Sequence, residues 1–241
     1  MDETEIIYGR NPVVEVANGT RKTKKIWLTD KTAKSIGYLL RTNSKIIEIV
    51  SKERIARITG RGDHQGAAAE VELFHYSPFK AITELIAGVV LAADRITDPR
   101  NLGAIIRSAA ILGAKGIIIP KKNSALITPV VCHTSAGATE RIAICCANSL
   151  AHSLNILKGK GFTIVGAEVP GPKTISITDF NGKRDKLVLV LGAEGFGLRG
   201  KIRALCDHQI SIPQKTDFDS LNVSVAASIL LWELLKKETG S

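Results

Sequence analysis

Apolar residues in the first 77 positions come in short runs separated by amphipathic stretches. Ile26-Trp-Leu-Thr29, Ile46-Ile-Glu-Ile-Val50 and residues 68–74 have the length and the β-branched or aromatic content of strands. Helices are expected near residues 12–18, 31–40 and 51–58, where apolar positions recur every three or four residues. Gly60-Arg-Gly-Asp-His-Gln-Gly66 breaks both periods and must be a loop. Tyr76-Ser-Pro-Phe79 should be extended, because proline lacks a donor and pushes its predecessor out of the helical region.

From about residue 85 longer apolar runs alternate with helical periods. Strands are expected at residues 89–93, 116–120, 163–169, 187–192 and 209–212, and helices at 102–112, 148–159, 198–205 and 221–238. A run such as Leu187-Val-Leu-Val-Leu191 has no polar face, so both its sides must be covered, as in a parallel sheet between helices. The pattern predicts an α/β chain with a small domain at 1–77, a linker at 78–84 and a larger domain at 85–241. No repeat or low-complexity tract interrupts it.

A content of 44% hydrophobic and 23% charged residues is that of a globular protein. Charge changes the picture more: the formal net charge is +10, and residues 21–61 hold twelve Lys or Arg against Asp30, Glu48 and Glu53. A polyanion such as nucleic acid fits that stretch; a solvated basic face is the alternative. Cys132, Cys145, Cys146 and Cys206 show no metal-ligand or disulfide-framework spacing and read as reduced core residues, with no metal expected. The acidic start Met-Asp-Glu-Thr-Glu and the absence of an 18-residue apolar run lead us to expect a cytoplasmic protein with no membrane contact.

Three segments carry candidate chemistry. Asn101 and Arg107 follow Asp98-Pro99, a helix-entry signal, so Asn101 falls at the helix mouth and Arg107 nearly two turns in. Glu194 stands between Gly192 and Gly195 just after an apolar strand, where parallel sheets place their ligand crevice; capping the next helix is its plainer role. Ser220-Leu-Asn-Val-Ser224 opens the last apolar helix, and one of its polar groups must be a cap. Taken singly, Asn101 and Arg107 could be ordinary surface residues. Gly195-Phe-Gly-Leu-Arg-Gly200 meets the dinucleotide fingerprint literally, but no carboxylate ends the next strand to hold a ribose. Gly166 to Thr174 fails as a phosphate loop because Pro172 precedes its lysine. His64 and His133 are isolated, so hydrolase chemistry has little support.

Jointly, Asn101-x-Gly103-x-x-x-Arg107, Gly192-x-Glu194-x-x-Gly197 and Ser220-Leu-Asn-Val-Ser224 resemble the three motifs of the TrmH/SpoU family of RNA ribose 2'-O-methyltransferases. Gly9-Arg-Asn-Pro-Val-Val-Glu15 and His64-Gln-Gly66 resemble segments of the substrate-binding domain, similar in fold to ribosomal protein L30e, of members that modify large-subunit ribosomal RNA. The resemblance implies an L30e-like domain and a linker, followed by a SPOUT domain with a parallel sheet and a deep trefoil knot that forms homodimers. It also implies S-adenosylmethionine as methyl donor, held by backbone groups of Gly192, Ile212 and Leu221. One departure is Ile212-Pro-Gln214-Lys-Thr216, where the family commonly has Met and Gly.

The implied reaction methylates a ribose of RNA, with a guanosine of large-subunit rRNA the favoured target and tRNA the rival. Arg107 is the implied catalytic group, oriented with the ribose by Asn101, Glu194, Ser220 and Asn222. An ordinary guanidinium keeps its proton far above neutral pH, so service as a base at neutral pH would ask for about 9 kcal/mol of perturbation. Charge stabilisation or phosphate fixing is the reading preferred, with the proton acceptor left open. A non-catalytic RNA-binding protein and a nicotinamide-dependent oxidoreductase are the competing classes.

Overall fold

The computed structural model describes residues 3–193, 195, 197–216 and 220–236. The chain packs as two compact units: residues up to His75 with Ile127–Arg141, and Tyr76–Leu126 with residues from Ile142 onward. Among the described residues no helix is long and apolar enough to cross a membrane.

The first unit contains β1 (Thr4–Tyr8), α1 (Arg10–Asn18), β2 (Thr23–Leu28), α2 (Asp30–Ile36), β3 (Ile47–Ile49), α3 (Lys52–Thr59) and β4 (Ala67–Glu72). Its sheet runs β1-β4-β2-β3, antiparallel except for the β2–β3 pair. Side-chain caps start the helices where a serine or threonine precedes them: Thr29 accepts from the Thr32 amide and Ser51 from the Arg54 amide. Strand β1 has no counterpart among the expected strands. Only Ile6, Ile7 and Tyr8 are apolar there, and Glu5 is held by the buried Arg21, whose Nη2 lies 2.5 Å from its carboxylate.

The segment 127–141, which sequence order places in the larger domain, folds with this unit. It supplies α6 (Pro129–Thr134) and a short 3-10 turn at Ala138–Glu140. The His133 ring stacks on Tyr8 at 4.6 Å. Arg21 reaches Glu140 at 3.0 Å, and Arg141 makes a two-pronged contact to Glu15 at 2.6 and 2.7 Å. Burial alone would lower the Arg21 pKa, but Glu140 and Glu5 outweigh it and raise it. Gly137 turns at φ 83°, and a Cβ there would press into Glu15 and Pro12.

The second unit contains α4 (Lys80–Thr83), β5 (Gly88–Ala93), α5 (Pro99–Leu112), β6 (Gly116–Pro120), β7 (Ala143–Ala147), α7 (Leu150–Gly159), β8 (Thr163–Ala167), β9 (Ile175–Ser176), β10 (Lys186–Leu191), α8 (Gly200–Arg203), β11 (His208–Ser211) and α9 (Val223–Leu235). Its seven strands are all parallel, in the order β7-β6-β5-β10-β8-β11-β9. The α/β class, the parallel sheet and the smaller α/β part are therefore as expected. Val90, Val188 and Val190 pack with Ile118 and Leu154 on one face, and Leu91, Ile117, Leu187 and Leu189 are fully buried on the other, so both faces of the sheet are covered. Asp98 caps α5 by accepting from the Arg100 amide at 2.8 Å, with Pro99 in the first turn. Strand β7, Ala-Ile-Cys-Cys-Ala, is a second unanticipated one, being short and mostly of weak strand formers. The helix expected at 198–205 forms only as the single turn α8.

Strands β5, β6 and β7 extend the sheet one way, while β10, β8 and β11 extend it the other. The order thus reverses between β5 and β10, whose last residues Ala93 and Leu191 lie side by side. Open parallel sheets bind ligands outside the carboxyl ends of the strands at such a point.

Candidate active site

The residues just past β5 and β10 build a clamp at that reversal. Asp94 is completely buried. Its carboxylate accepts from the Arg199 amide at 3.0 Å, from Nε at 2.7 Å and from Nη2 at 2.6 Å. A carboxylate at the head of one loop therefore fixes the far end of the loop that leaves β10. Within that loop Ala193 pairs with Gly197, which turns at φ 61°. Gly192 has no room for a side chain: a Cβ would overlap backbone atoms of Gly197 and lie 2.6 Å from the Leu198 nitrogen. Glu194, one of the residues singled out from the sequence, lies outside the described residues.

A cavity of about 520 Å³ opens beside this loop. Gly192, Ile212, Ser220 and Leu221 all line it, so four of the expected site residues from three separate segments share one space. Gln214, from the stretch that departs from the family pattern, lines it too. Glu168 and Arg203 form an ion pair of 2.7 Å on its wall, and that hydrogen bond to the carboxylate raises the Arg203 pKa.

Motif residues from both ends of the unit meet next to it. The Asn222 amide donates to the Asn101 Oδ1 at 3.1 Å across 121 residues of sequence. Asn222 is also the α9 cap, accepting from the Ser224 amide at 2.9 Å. A Ser108–Ser228 hydroxyl contact of 2.7 Å ties α5 to α9 farther along. Arg107 stands exposed on α5 and lines neither this cavity nor the one around Asn101. Sequence reasoning missed Asp94, Arg199, Glu168 and Arg203. For Asp94 a signal was present, since a charge directly after the apolar run Val-Val-Leu-Ala-Ala is in the position where parallel sheets place ligand-loop residues.

Residues 88–232 match the family model described as the SpoU rRNA methylase family, which covers more than half of the chain. The chain belongs to that family. Residues 6–77 match a second model, RNA 2'-O ribose methyltransferase substrate binding. A protein of Mycobacterium avium (strain 104) named as an uncharacterized tRNA/rRNA methyltransferase is 35% identical over 99% of this chain and 79% of its own length. The SpoU methyltransferase AviRb from Streptomyces viridochromogenes, solved with S-adenosylmethionine, superposes with a TM-score of 0.78 at 23% identity, covering 96% of this chain and 89% of its own. An rRNA methyltransferase from Sinorhizobium meliloti, also solved with that cofactor, gives 0.79 at 24%, covering 96% and 86%.

The chain is thus an RNA methyltransferase of the SpoU family. Its residues suit the S-adenosylmethionine that the two solved neighbours carry. About 520 Å³ is ordinary for a site of this ligand size. Gly192 lines the cavity, and because it has no Cβ the backbone of Gly197 and Leu198 folds tightly against it, which sets the shape of the cavity's rim.

Proposed function

We propose that this chain methylates the 2'-oxygen of a ribose in large-subunit ribosomal RNA, at a guanosine. The observation that carries the reading is the junction of a cavity walled by Gly192, Ile212 and Leu221 with the Asn101–Asn222 pair, which sets a polar group from each of two motifs beside it. The substrate-binding match at 6–77 and the basic stretch at 21–61 support an RNA of some length as substrate.

When bound, the cofactor supplies an electrophilic methyl group on a sulfonium. Backbone groups of Gly192, Ile212 and Leu221 hold it, and Ser220 lies on the same wall. Asn101 and Asn222 hold each other in place and are assigned to orient the ribose. Glu194 is assigned with them to orient the acceptor. Arg107 offers charge to the oxygen as it loses its proton, or grips an adjacent phosphate; either role needs the planar cation and no deprotonation.

A homodimer through the second unit is part of this reading. Val225, Ile229 and Trp232 form a stripe on α9 that is 46%, 39% and 62% exposed, and Ile111 on α5 is 71% exposed. A monomer gains nothing from such a stripe, and an isologous two-fold contact would cover it. Exposed Arg107 would then meet an acceptor held with help from the partner.

The test is methyl transfer from labelled S-adenosylmethionine to large-subunit rRNA and to tRNA, followed by mapping of 2'-O-methyl positions. Label in tRNA alone overturns the rRNA assignment. Arg107→Ala should abolish transfer to rRNA while S-adenosylhomocysteine binds as before, and Arg107→Lys should fail as well because a point charge lacks the fork. A parallel loss of cofactor binding would refute the role given to Arg107.

A further inference from the structure

Among the described residues of the second unit, two that are not glycine hold left-handed backbone, Arg95 at φ 63° and Asn123 at φ 57°. Both line the same cavity, of about 490 Å³, together with Asn101. Glycine adopts this conformation freely and asparagine tolerates it, but arginine does so only when its surroundings enforce it. The surroundings here are firm: the Ser124 hydroxyl and the Ala125 amide both bond the Ile96 carbonyl, at 3.1 and 2.8 Å, tying the Asn123 segment to the residue after Arg95.

The Arg95 Nε is buried and has no hydrogen-bond partner among the described residues. Guanidinium groups rarely leave a buried N–H unsatisfied. Among the described residues the one carboxylate on the cavity wall, Asp98, is engaged as the α5 cap. Ala193 and Val223 line this cavity and the cofactor cavity alike, so the two spaces adjoin.

We propose that this second cavity receives the RNA nucleotide that is methylated and that Arg95 binds a phosphate flanking its ribose. The proposal rests on the ribose-methyltransferase reading and adds the acceptor's own subsite to it. The acceptor must enter beside the cofactor cavity, its ribose is uncharged, and the phosphodiester is the anion it brings. The planar fork of arginine suits a phosphate, and a donor with no partner among the described residues is satisfied when that phosphate arrives. Arg95 is a binding residue here and takes no part in the bond changes.

Arg95→Gly is a clean probe because it relieves the backbone while removing the charge; Arg95→Asn, also at ease in left-handed backbone, is the second variant. Both should melt no lower than the parent. Methyl transfer to rRNA should show a KM for RNA raised tenfold or more, with the Kd for S-adenosylhomocysteine within twofold of the parent, and Arg95→Lys should fall between. Independently of turnover, the dinucleotide GpG should give a saturation-transfer NMR signal with the S-adenosylhomocysteine-loaded parent and none with Arg95→Gly. An unchanged KM for RNA, a cofactor Kd that rises with it, or no GpG signal from the parent overturns the proposal. If the parent transfers no methyl group to any RNA, the enzymatic reading falls, and the GpG comparison still decides whether Arg95 serves a nucleotide site.

Discussion

Breaking the Asp94–Arg199 clamp should produce an asymmetric pair of defects, because the two partners are shielded unequally. The Asp94 side chain is wholly buried, whereas that of Arg199 is 43% exposed. Arg199→Ala leaves a carboxylate inside the protein with one backbone N–H, and an uncompensated buried charge of this kind costs about 3–5 kcal/mol. Asp94→Ala frees a guanidinium that can turn to water, so the loss is nearer the charged hydrogen bonds themselves, about 1.5–3 kcal/mol. Removing both avoids the stranded charge, so the double variant should be less destabilised than the sum of the singles by at least about 1 kcal/mol, within the range seen for directly bonded pairs. Urea unfolding followed by circular dichroism measures the cycle. Titration with S-adenosylhomocysteine tests the functional half, since each variant frees the loop from 192 to 199 and should weaken binding. Additivity within about 0.5 kcal/mol, or an Asp94→Ala variant no more stable than Arg199→Ala, would refute the clamp.

Two further outcomes are expected. Trp232→Glu should give a monomer in sedimentation equilibrium at micromolar concentration, with an unchanged circular dichroism spectrum; a dimer that survives it, or a parent that is itself a monomer, refutes a contact through this stripe. Burial pushes the Cys206 thiol up to about 12 and those of Cys132 and Cys145 to about 11, so all three should resist iodoacetamide at pH 8 until urea is added. The same shifts set a pH window. The unfolded thiols ionise from about pH 8.5 while the folded ones stay neutral, so the stabilisation present below that pH is lost progressively towards pH 12, and rising stability across that window would contradict it.

Elements whose information is local were legible in the chain. The five apolar residues of β10 and the Asp98-Pro99 entry to α5 each announce themselves within a few positions, as does the polar cap of α9. Two of the three motif segments share one cavity, through Gly192 and through Ser220 and Leu221, with Ile212 beside them, while Asn101 of the third lines the adjoining cavity and Arg107 lines neither. What stayed hidden depends on partners distant in sequence. β1 becomes a strand by pairing with β4 more than sixty residues later, and Glu5 is acceptable there because Arg21 is beside it. The Asp94–Arg199 pair spans 105 residues and no periodicity connects them. The left-handed backbone of Arg95 likewise has no signature, since arginine is a residue one would not choose for it.

The excursion of residues 127–141 into the first unit sets an order of events during synthesis. Residues up to His75 leave the ribosome without the partners for Arg21 and Glu15, because Glu140 and Arg141 are still untranslated. At roughly 5–20 residues per second, the roughly 66 residues separating His75 from Arg141 impose a wait of about 3–13 s. During that time the first unit is incomplete. By then β5, α5 and β6 have been made, so the small unit finishes only after the large one has begun. The chain passes between the units three times, and no single cut yields both intact.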